Sequence, residues 1–220
     1  MIKSFQTDYN TYAACPLCSS YASFFEQGRY GSYFLCPHCS GIFLHEKDRM
    51  NETDEKNRYL EHNNNVYDEG YRKFVSPIVD AVKKDFCKTD EGLDFGAGPG
   101  PVISIMLKES DYSVTMFDPY FHNNSAALEK KYDYIIVCEV MEHFYYPFEE
   151  FKKLYSLLKP GGRLYCMTAL YDPSINFKTW YYVSDHSHVF FYRNNTLTWI
   201  KEHMGFISCT VDKRLIIFEK

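Results

Sequence analysis

With 220 residues, 45% of them hydrophobic, the chain has room for one ordinary domain, a small attachment and a sizeable core. Lys and Arg number 24 against 29 Asp and Glu, a net charge of −5 that speaks against a broad nucleic-acid-binding surface. No apolar run approaches the roughly 18 residues of a membrane span, and Met1–Asn10 lacks an apolar leader core. The expected setting is therefore a reducing cytoplasm without a membrane partner.

Residues 1–47 form the attachment. Cys15-Pro16-Leu17-Cys18 and Cys36-Pro37-His38-Cys39 are separated by 17 residues, a spacing that reads as a zinc site. Thiolates of Cys15, Cys18, Cys36 and Cys39 close a tetrahedral shell and leave no position for water, which marks a structural Zn²⁺ in a zinc ribbon. Tyr21, Phe24, Phe25, Tyr30, Tyr33 and Phe34 lie between the knuckles, with Gly28 and Gly31 to turn the chain. They predict a hairpin too small to stand without metal. Lys3, Arg29 and Lys47 are balanced by Asp8, Glu26 and Glu46, which favours a folding staple or a homodimer contact over a grip on RNA. Cys87, Cys138, Cys166 and Cys209 are scattered singly in apolar surroundings and read as core thiols.

Residues 48–90 read as a helical linker and lid. The stretch 48–65 is charged and predicts a solvated helix, interrupted at His62-Asn63-Asn64-Asn65 by side chains that favour caps and turns. Tyr67, Tyr71, Phe74, Val75, Ile78, Val79, Val82 and Phe86 then recur at helical spacing. Ser76-Pro77 suits a helix start or a kink.

From residue 91 the rhythm is strand, helix, strand, predicting a doubly wound α/β sheet over 91–220. Leu93–Phe95 is the first strand. Gly96-Ala97-Gly98-Pro99-Gly100 then makes a turn without Cβ atoms at alternate positions, and a helix starts at Pro101. The dinucleotide fingerprint needs its third glycine at Pro101, one residue later than Gly100. Asp94 sets a carboxylate just before the loop, badly placed for a pyrophosphate and well placed for a cation. Tyr112–Asp118 is the second strand, and Asp118 at its tip is positioned to accept both hydroxyls of a ribose. The gap from Pro119 to Tyr132 has room for one short helix around 125–131, so a third strand is abbreviated. Tyr134–Val140 is the next strand, a helix through Phe148–Leu158 follows, and Leu158-Lys159-Pro160-Gly161-Gly162 turns into a strand over 164–170. Asn194 or Asn195 caps a helix over 197–204, Gly205 ends it, and residues 206–212 with 215–219 predict a closing antiparallel hairpin.

Asp94 followed by Gly96-x-Gly98-x-Gly100 resembles the first motif of the class I S-adenosylmethionine (SAM)-dependent methyltransferases. Glu139-x-x-Glu142-His143 and the Leu-Lys-Pro-Gly-Gly turn resemble the ubiquinone-biosynthesis type of small-molecule methyltransferase. Trp180, then Asp185-x-x-His188 before Phe190-Phe191, resembles an abundant bacterial methyltransferase family. The resemblance covers about residues 60–220. It implies that SAM is the cofactor and that Asp94, Phe95, Gly96, Ala97, Gly98 and Gly100 meet its amino-acid end. Asp118 and Pro119 would meet the ribose, with Glu139 and Val140 along its edge. The segment ahead of the first strand folds over SAM in that family, which makes His62, Tyr67 and Tyr71 lid residues, Tyr71 beside the cofactor.

Methyl transfer is an in-line displacement, and it needs a deprotonated or neutral nucleophile held about 3 Å from the methyl carbon. His143 and His188 are the candidate bases, since imidazole titrates near neutral pH. Asp185 lies three residues before His188, a spacing at which it orients that ring or joins it on one polar substrate group. Trp180, Tyr181 and Tyr182 offer apolar walls. Glu139, Glu142 and His143 are also a set that can hold Mg²⁺, with helix-cap and SAM-edge duties as the alternative. The expected acceptor is a small molecule: an activated sugar, a quinone or phenol, or another metabolite. Three rivals stay in view: an RNA-base methyltransferase gripping RNA through the ribbon, an NAD-dependent oxidoreductase, and a SAM-binding protein without catalysis.

Overall fold

The computed structural model describes residues 12–60 and 65–220, so His62, Lys3 and Asp8 lie outside the described residues. Two sheets carry the chain. In the first, β1 (Tyr12–Ala14), β2 (Tyr21–Gly28), β3 (Gly31–Leu35) and β4 (Ile42–Leu44) form an antiparallel meander. Its backbone is shaped by two knuckles of the same geometry. Ser19 N donates to Cys15 O and Ser40 N to Cys36 O, with both serines in the left-handed region.

The second sheet has the order β10-β11-β8-β7-β5-β6. Strands β6 (Ser113–Phe117), β5 (Glu91–Phe95), β7 (Tyr132–Cys138) and β8 (Leu158–Met167) run parallel, and β11 (Leu215–Glu219) and β10 (Ser208–Asp212) close the edge as an antiparallel hairpin. The chain leaves β5 toward β6 and returns to the other side of β5 as β7. The switch point between β5 and β7 is where an open α/β sheet leaves a crevice at the carboxyl ends of its strands. Between β6 and β7 there is one short 3₁₀ segment, Ser125–Glu129, and no strand among the described residues.

Helix α1 (Glu52–Leu60) buries no residue completely. Helix α2 (Glu69–Asp85) instead turns Val75, Ile78, Val79 and Val82 onto the sheet. At about 1.5–3 kcal/mol per fully buried aliphatic side chain, that stripe holds the helix down by roughly 6–12 kcal/mol before chain entropy. Asp68 caps it by accepting from Tyr71 N at 2.6 Å. Pro77 neither starts nor visibly ends this helix: it lies inside. The carbonyl it leaves without an N–H donor, Lys73 O, is taken by the Ser76 hydroxyl at 3.1 Å. Helix α3 (Val102–Lys108) follows the Gly-rich turn, and α4 (Pro147–Leu157) runs directly into β8. The Lys-Pro-Gly-Gly segment is thus the start of a strand rather than a separate turn, with Gly161 at φ +74° relieving the bend. Helix α5 begins earlier than the asparagine-cap reading expects, at Asn194, because the Thr196 hydroxyl accepts from Arg193 N; it ends at Met204 with Gly205 left-handed.

The insertion between β8 and α5 contributes β9 (Phe190–Phe191), which pairs with β4 as the fifth strand of the first sheet. The ribbon residues Tyr33, Ile42 and Leu44 therefore share one apolar cluster with Phe177, Trp180 and Val183 of the insertion. Trp180 is a packing residue there and does not line the cavity described below. Among the four scattered cysteines only Cys166 is fully buried, and Cys87, in the loop after α2, is exposed.

Candidate functional site

A cavity of about 760 Å³ opens at the carboxyl ends of β5, β6 and β7, within the range for small-molecule and cofactor sites. Its inner wall is the Gly-rich turn. Gly96 N and Ala97 N donate to Phe117 O, which ties the turn to β6. Gly96 and Gly98 take φ of +79° and +62°, conformations costly for any residue with a Cβ. They differ in their surroundings. A Cβ at Gly96 would lie 2.6 Å from Val140 Cγ2, whereas one at Gly98 meets nothing within 4 Å. Gly98 thus leaves open a cradle that a side chain would fill, a fit for the backbone approach that SAM requires.

Asp94, 4% exposed, sits under the turn and accepts from the Ser104 hydroxyl at 2.7 Å. Burial pushes its carboxyl up to about 6, and the Ser104 hydrogen bond opposes that rise. At the tip of β6, Asp118 Oδ1 accepts from Tyr120 N and Phe121 N, and Oδ2 accepts from Gly98 N at 3.0 Å. A carboxylate offers about four acceptor positions, so the remaining position lies on Oδ2. That position faces the cavity side of the turn, where a hydroxyl of a bound ligand can donate to it.

The outer wall comes from three places. Helix α1 supplies Glu55, Arg58 and Tyr59. Glu55 accepts from the hydroxyls of Tyr59 (3.1 Å) and Tyr120 (3.3 Å), and Arg58 pairs with Asp185 at 2.7 Å. The segment after β7 supplies Glu139, Val140 and His143, and the insertion supplies Tyr181, Tyr182, Asp185 and His188. Tyr71 of α2 also faces the cavity, while Tyr67 is 78% exposed and lies away from it. Every residue that the sequence puts forward for cofactor binding or catalysis, from Tyr71 to His188, lines this one cavity.

Several expected roles change once partners are known. Asp185 does not orient the His188 ring. Its Oδ1 accepts from the Ser187 backbone and hydroxyl, and its Oδ2 is taken by Arg58. Burial works against ionisation, but these bonds hold its carboxyl well below the usual carboxylate range. The His188 ring is oriented by Tyr182 O, 2.7 Å from Nδ1, and the His143 ring by Ser187 O, 2.9 Å from Nδ1. A carbonyl only accepts, so both rings carry a proton on Nδ1. Burial, reinforced by the adjacent His143, holds His188 below its ordinary value.

Glu139, in a left-handed conformation at φ +52°, is clamped by the Arg214 guanidinium through both oxygens. Burial and the nearby Glu142 push it up to about 7 against the pull of Arg214. With Glu139 so engaged, the expected Glu139–Glu142–His143 cation set is not the one assembled: His188 takes the place of Glu139 in the cluster. His186 stacks on Tyr30 at 4.3 Å and bonds Asp48 O, a tie between insertion and ribbon. The ribbon reaches the site through backbone as well. Leu44 N donates to Val189 O and Val189 N to Glu142 O, so β4 braces the chain one residue from His188.

The four ribbon sulfurs draw together, with Cys15–Cys39 at 3.5 Å and Cys18–Cys36 at 3.4 Å. Four thiols at Zn–S bonds of about 2.3 Å would be about 3.8 Å apart, so the donor set suits a closed zinc shell after a small expansion. No helix among the described residues is long and apolar enough to cross a membrane.

Sequence reasoning missed Glu55, Arg58, Tyr59, Tyr120 and Arg214. The first three lie in a segment whose charge reads as solvated surface, and Arg214 sits in a hairpin turn; the local pattern of neither signals a site.

Residues 58–207 match the family model described as a methyltransferase domain. Among solved structures, an O-methyltransferase family protein from Burkholderia thailandensis superposes with a TM-score of 0.52 at 12% identity, over 75% of this chain and 61% of that one. A phosphoethanolamine N-methyltransferase 2 from Haemonchus contortus in complex with SAM gives 0.52 at 18%, over 74% and 43%. A SAM-dependent methyltransferase from Archaeoglobus fulgidus gives 0.50 at 18%, over 68% and 94%. The chain thus spans less than two thirds of the first two, and at these identities the likeness concerns the fold alone. No curated protein sequence matches the chain.

Proposed function

The chain belongs to the methyltransferase-domain family through its residues 58–207, and on that premise we propose that it transfers a methyl group from SAM to a small-molecule acceptor. When bound, SAM supplies a methyl group activated on a sulfonium. The observation that carries the reading is the continuity of the cavity, from the Gly98 cradle and Asp94 on one side to His143, His188 and Tyr182 on the other. In this reading Asp94 and the backbone at Gly98 hold the cationic amino-acid end, and Asp118 Oδ2 accepts from one ribose hydroxyl. Tyr71 and α1 cover the cavity and exclude water. The acceptor lies against Tyr182 and the two imidazoles, each of which, in its neutral form, has its lone pair on Nε2 and can take the acceptor's proton there. Asp185 acts through Arg58 and Ser187 as a positioning residue. The four ribbon cysteines hold a structural Zn²⁺.

The electrostatics speak against RNA as the acceptor. Glu55, Asp94, Asp118, Glu139, Glu150 and Asp185 line the cavity against Arg58 and Lys153, a surplus of carboxylates that repels a phosphate backbone. Calorimetric titration with SAM, S-adenosylhomocysteine and NAD tests the reading. SAM and its product should bind, NAD should bind far more weakly, and Asp118→Ala should cost about 1.5–3 kcal/mol of SAM binding. NAD binding without SAM heat would overturn it. A panel of phenols, quinols and activated sugars then reports the acceptor, and His188→Ala should lower turnover roughly 10²–10⁴-fold with SAM affinity unchanged.

A further inference from the structure

We propose that Glu142, His143 and His188 form a binding site for a divalent first-row transition-metal ion on the acceptor side of the cavity. The inference rests on the reading above that the outer part of the cavity receives the acceptor. One ligand atom from each residue lies within 4.8 Å of the others. Ligands at about 2.0–2.2 Å from one ion lie within about 4.4 Å of each other, so the set closes with a small side-chain adjustment.

The three side chains are held as metal ligands are held. Each histidine donates Nδ1–H to a backbone carbonyl, Ser187 O for His143 and Tyr182 O for His188, which leaves the ring lone pair on Nε2. Glu142 is fully buried, and its carboxylate is fixed by the Thr168 hydroxyl at 3.0 Å and the Tyr182 hydroxyl at 2.5 Å. Each oxygen keeps a second lone pair.

Charge points the same way. Glu139 and Glu142 lie side by side, and Arg214 is spent on Glu139. Among the described residues no Lys or Arg pairs with Glu142, so a dry carboxylate stands beside two imidazoles without a fixed cation. Two imidazoles and one carboxylate suit zinc, cobalt, iron or manganese rather than calcium or magnesium. His143 and His188 line the cavity while Glu142 lies behind them, so open coordination positions face the acceptor and receive a hydroxyl or carbonyl oxygen. Under this inference the imidazoles hold an ion instead of taking a proton themselves.

The test is a Co²⁺ titration of the 220-residue chain carrying zinc in its ribbon. One equivalent of Co²⁺, the second metal of the chain, should bind with visible d–d absorption and without the near-ultraviolet charge transfer of a thiolate site. His188→Gln and Glu142→Gln should each weaken it by more than about tenfold, with melting curves and SAM calorimetry taken on the same samples. No Co²⁺ bound beyond the ribbon zinc, or a bound Co²⁺ that survives both substitutions, overturns the site. If either variant melts early, X-ray absorption at the cobalt edge of the unsubstituted protein decides instead. Two imidazoles without sulfur support the site, and their absence overturns it. Intact second-metal binding without SAM heat would count against the methyltransferase reading and leave the metal site standing.

Discussion

Replacing Asp94 by Asn should make the ligand-free protein more stable while weakening its hold on SAM. The carboxyl is buried and its value rises from an ordinary 3.8 to about 6. At about 1.4 kcal/mol per pH unit, keeping it ionised in the fold costs about 3 kcal/mol above pH 6. The sign follows from linkage. The unfolded chain ionises Asp94 from about pH 4 upward while the fold keeps it protonated to about pH 6, so stability falls with rising pH across that window. Below pH 4 both states are protonated and the cost disappears. Asn accepts the same Ser104 hydrogen bond and never ionises. Urea denaturation of both proteins should therefore show Asp94→Asn ahead by about 3 kcal/mol at pH 8 and by less than about 1 kcal/mol at pH 4. SAM affinity of the unsubstituted protein should in turn fall about tenfold per pH unit below pH 6, because a cationic ligand selects the ionised carboxylate. A difference in stability that does not change with pH, or a variant less stable at pH 8, would refute this reasoning.

The two left-handed glycines of the turn after β5 should separate. Gly98→Ala should retain the fold at a cost of about 1–2 kcal/mol and lose SAM affinity at least tenfold, whereas Gly96→Ala, meeting Val140 at 2.6 Å, should lower the melting temperature further. Elemental analysis should find one zinc per chain, and Cys36→Ser should release it. Because β4 braces Val189, amide exchange should then rise in the insertion as well as in the ribbon. Arg58→Ala should cost about 1–3 kcal/mol in chemical denaturation, the range for a hydrogen-bonded charge left without its partner. Since Asp185 is held well below the usual carboxylate range, that difference should be constant from pH 5 to 8 and vanish only in acid.

The Gly-turn side of the cavity was legible because its signals are local. Asp94, the alternating glycines and Asp118 lie within 25 residues of one another, and a strand–turn–helix unit fixes their geometry wherever the chain goes next. The abbreviated gap before β7 was legible for the same reason: too few residues remain there for another strand. The opposite side is assembled from afar. Arg58 meets Asp185 and Glu139 meets Arg214 across most of the domain, and no periodicity announces such pairs. A two-residue strand such as β9 is too short to show alternation, so its pairing with the ribbon, and with it the fate of Trp180 as packing, is invisible until the sheets are built.

That same pairing sets an order of events during synthesis. Ile42 meets Phe191 and Phe43 meets Phe190, partners about 150 positions apart in the chain. Strands β1–β4 are made before the sheet's fifth strand, β9, which follows about 150 residues later. Until then the edge of β4 stays open for minor pairings with other chains, a hazard that grows with the time spent waiting. Loop closure over that distance adds only a slowly growing entropic cost, so the wait is a matter of rate rather than of final stability. An early-captured metal would let the knuckles hold their shape through the wait, and chains starved of zinc should be lost to aggregation during translation more than after it.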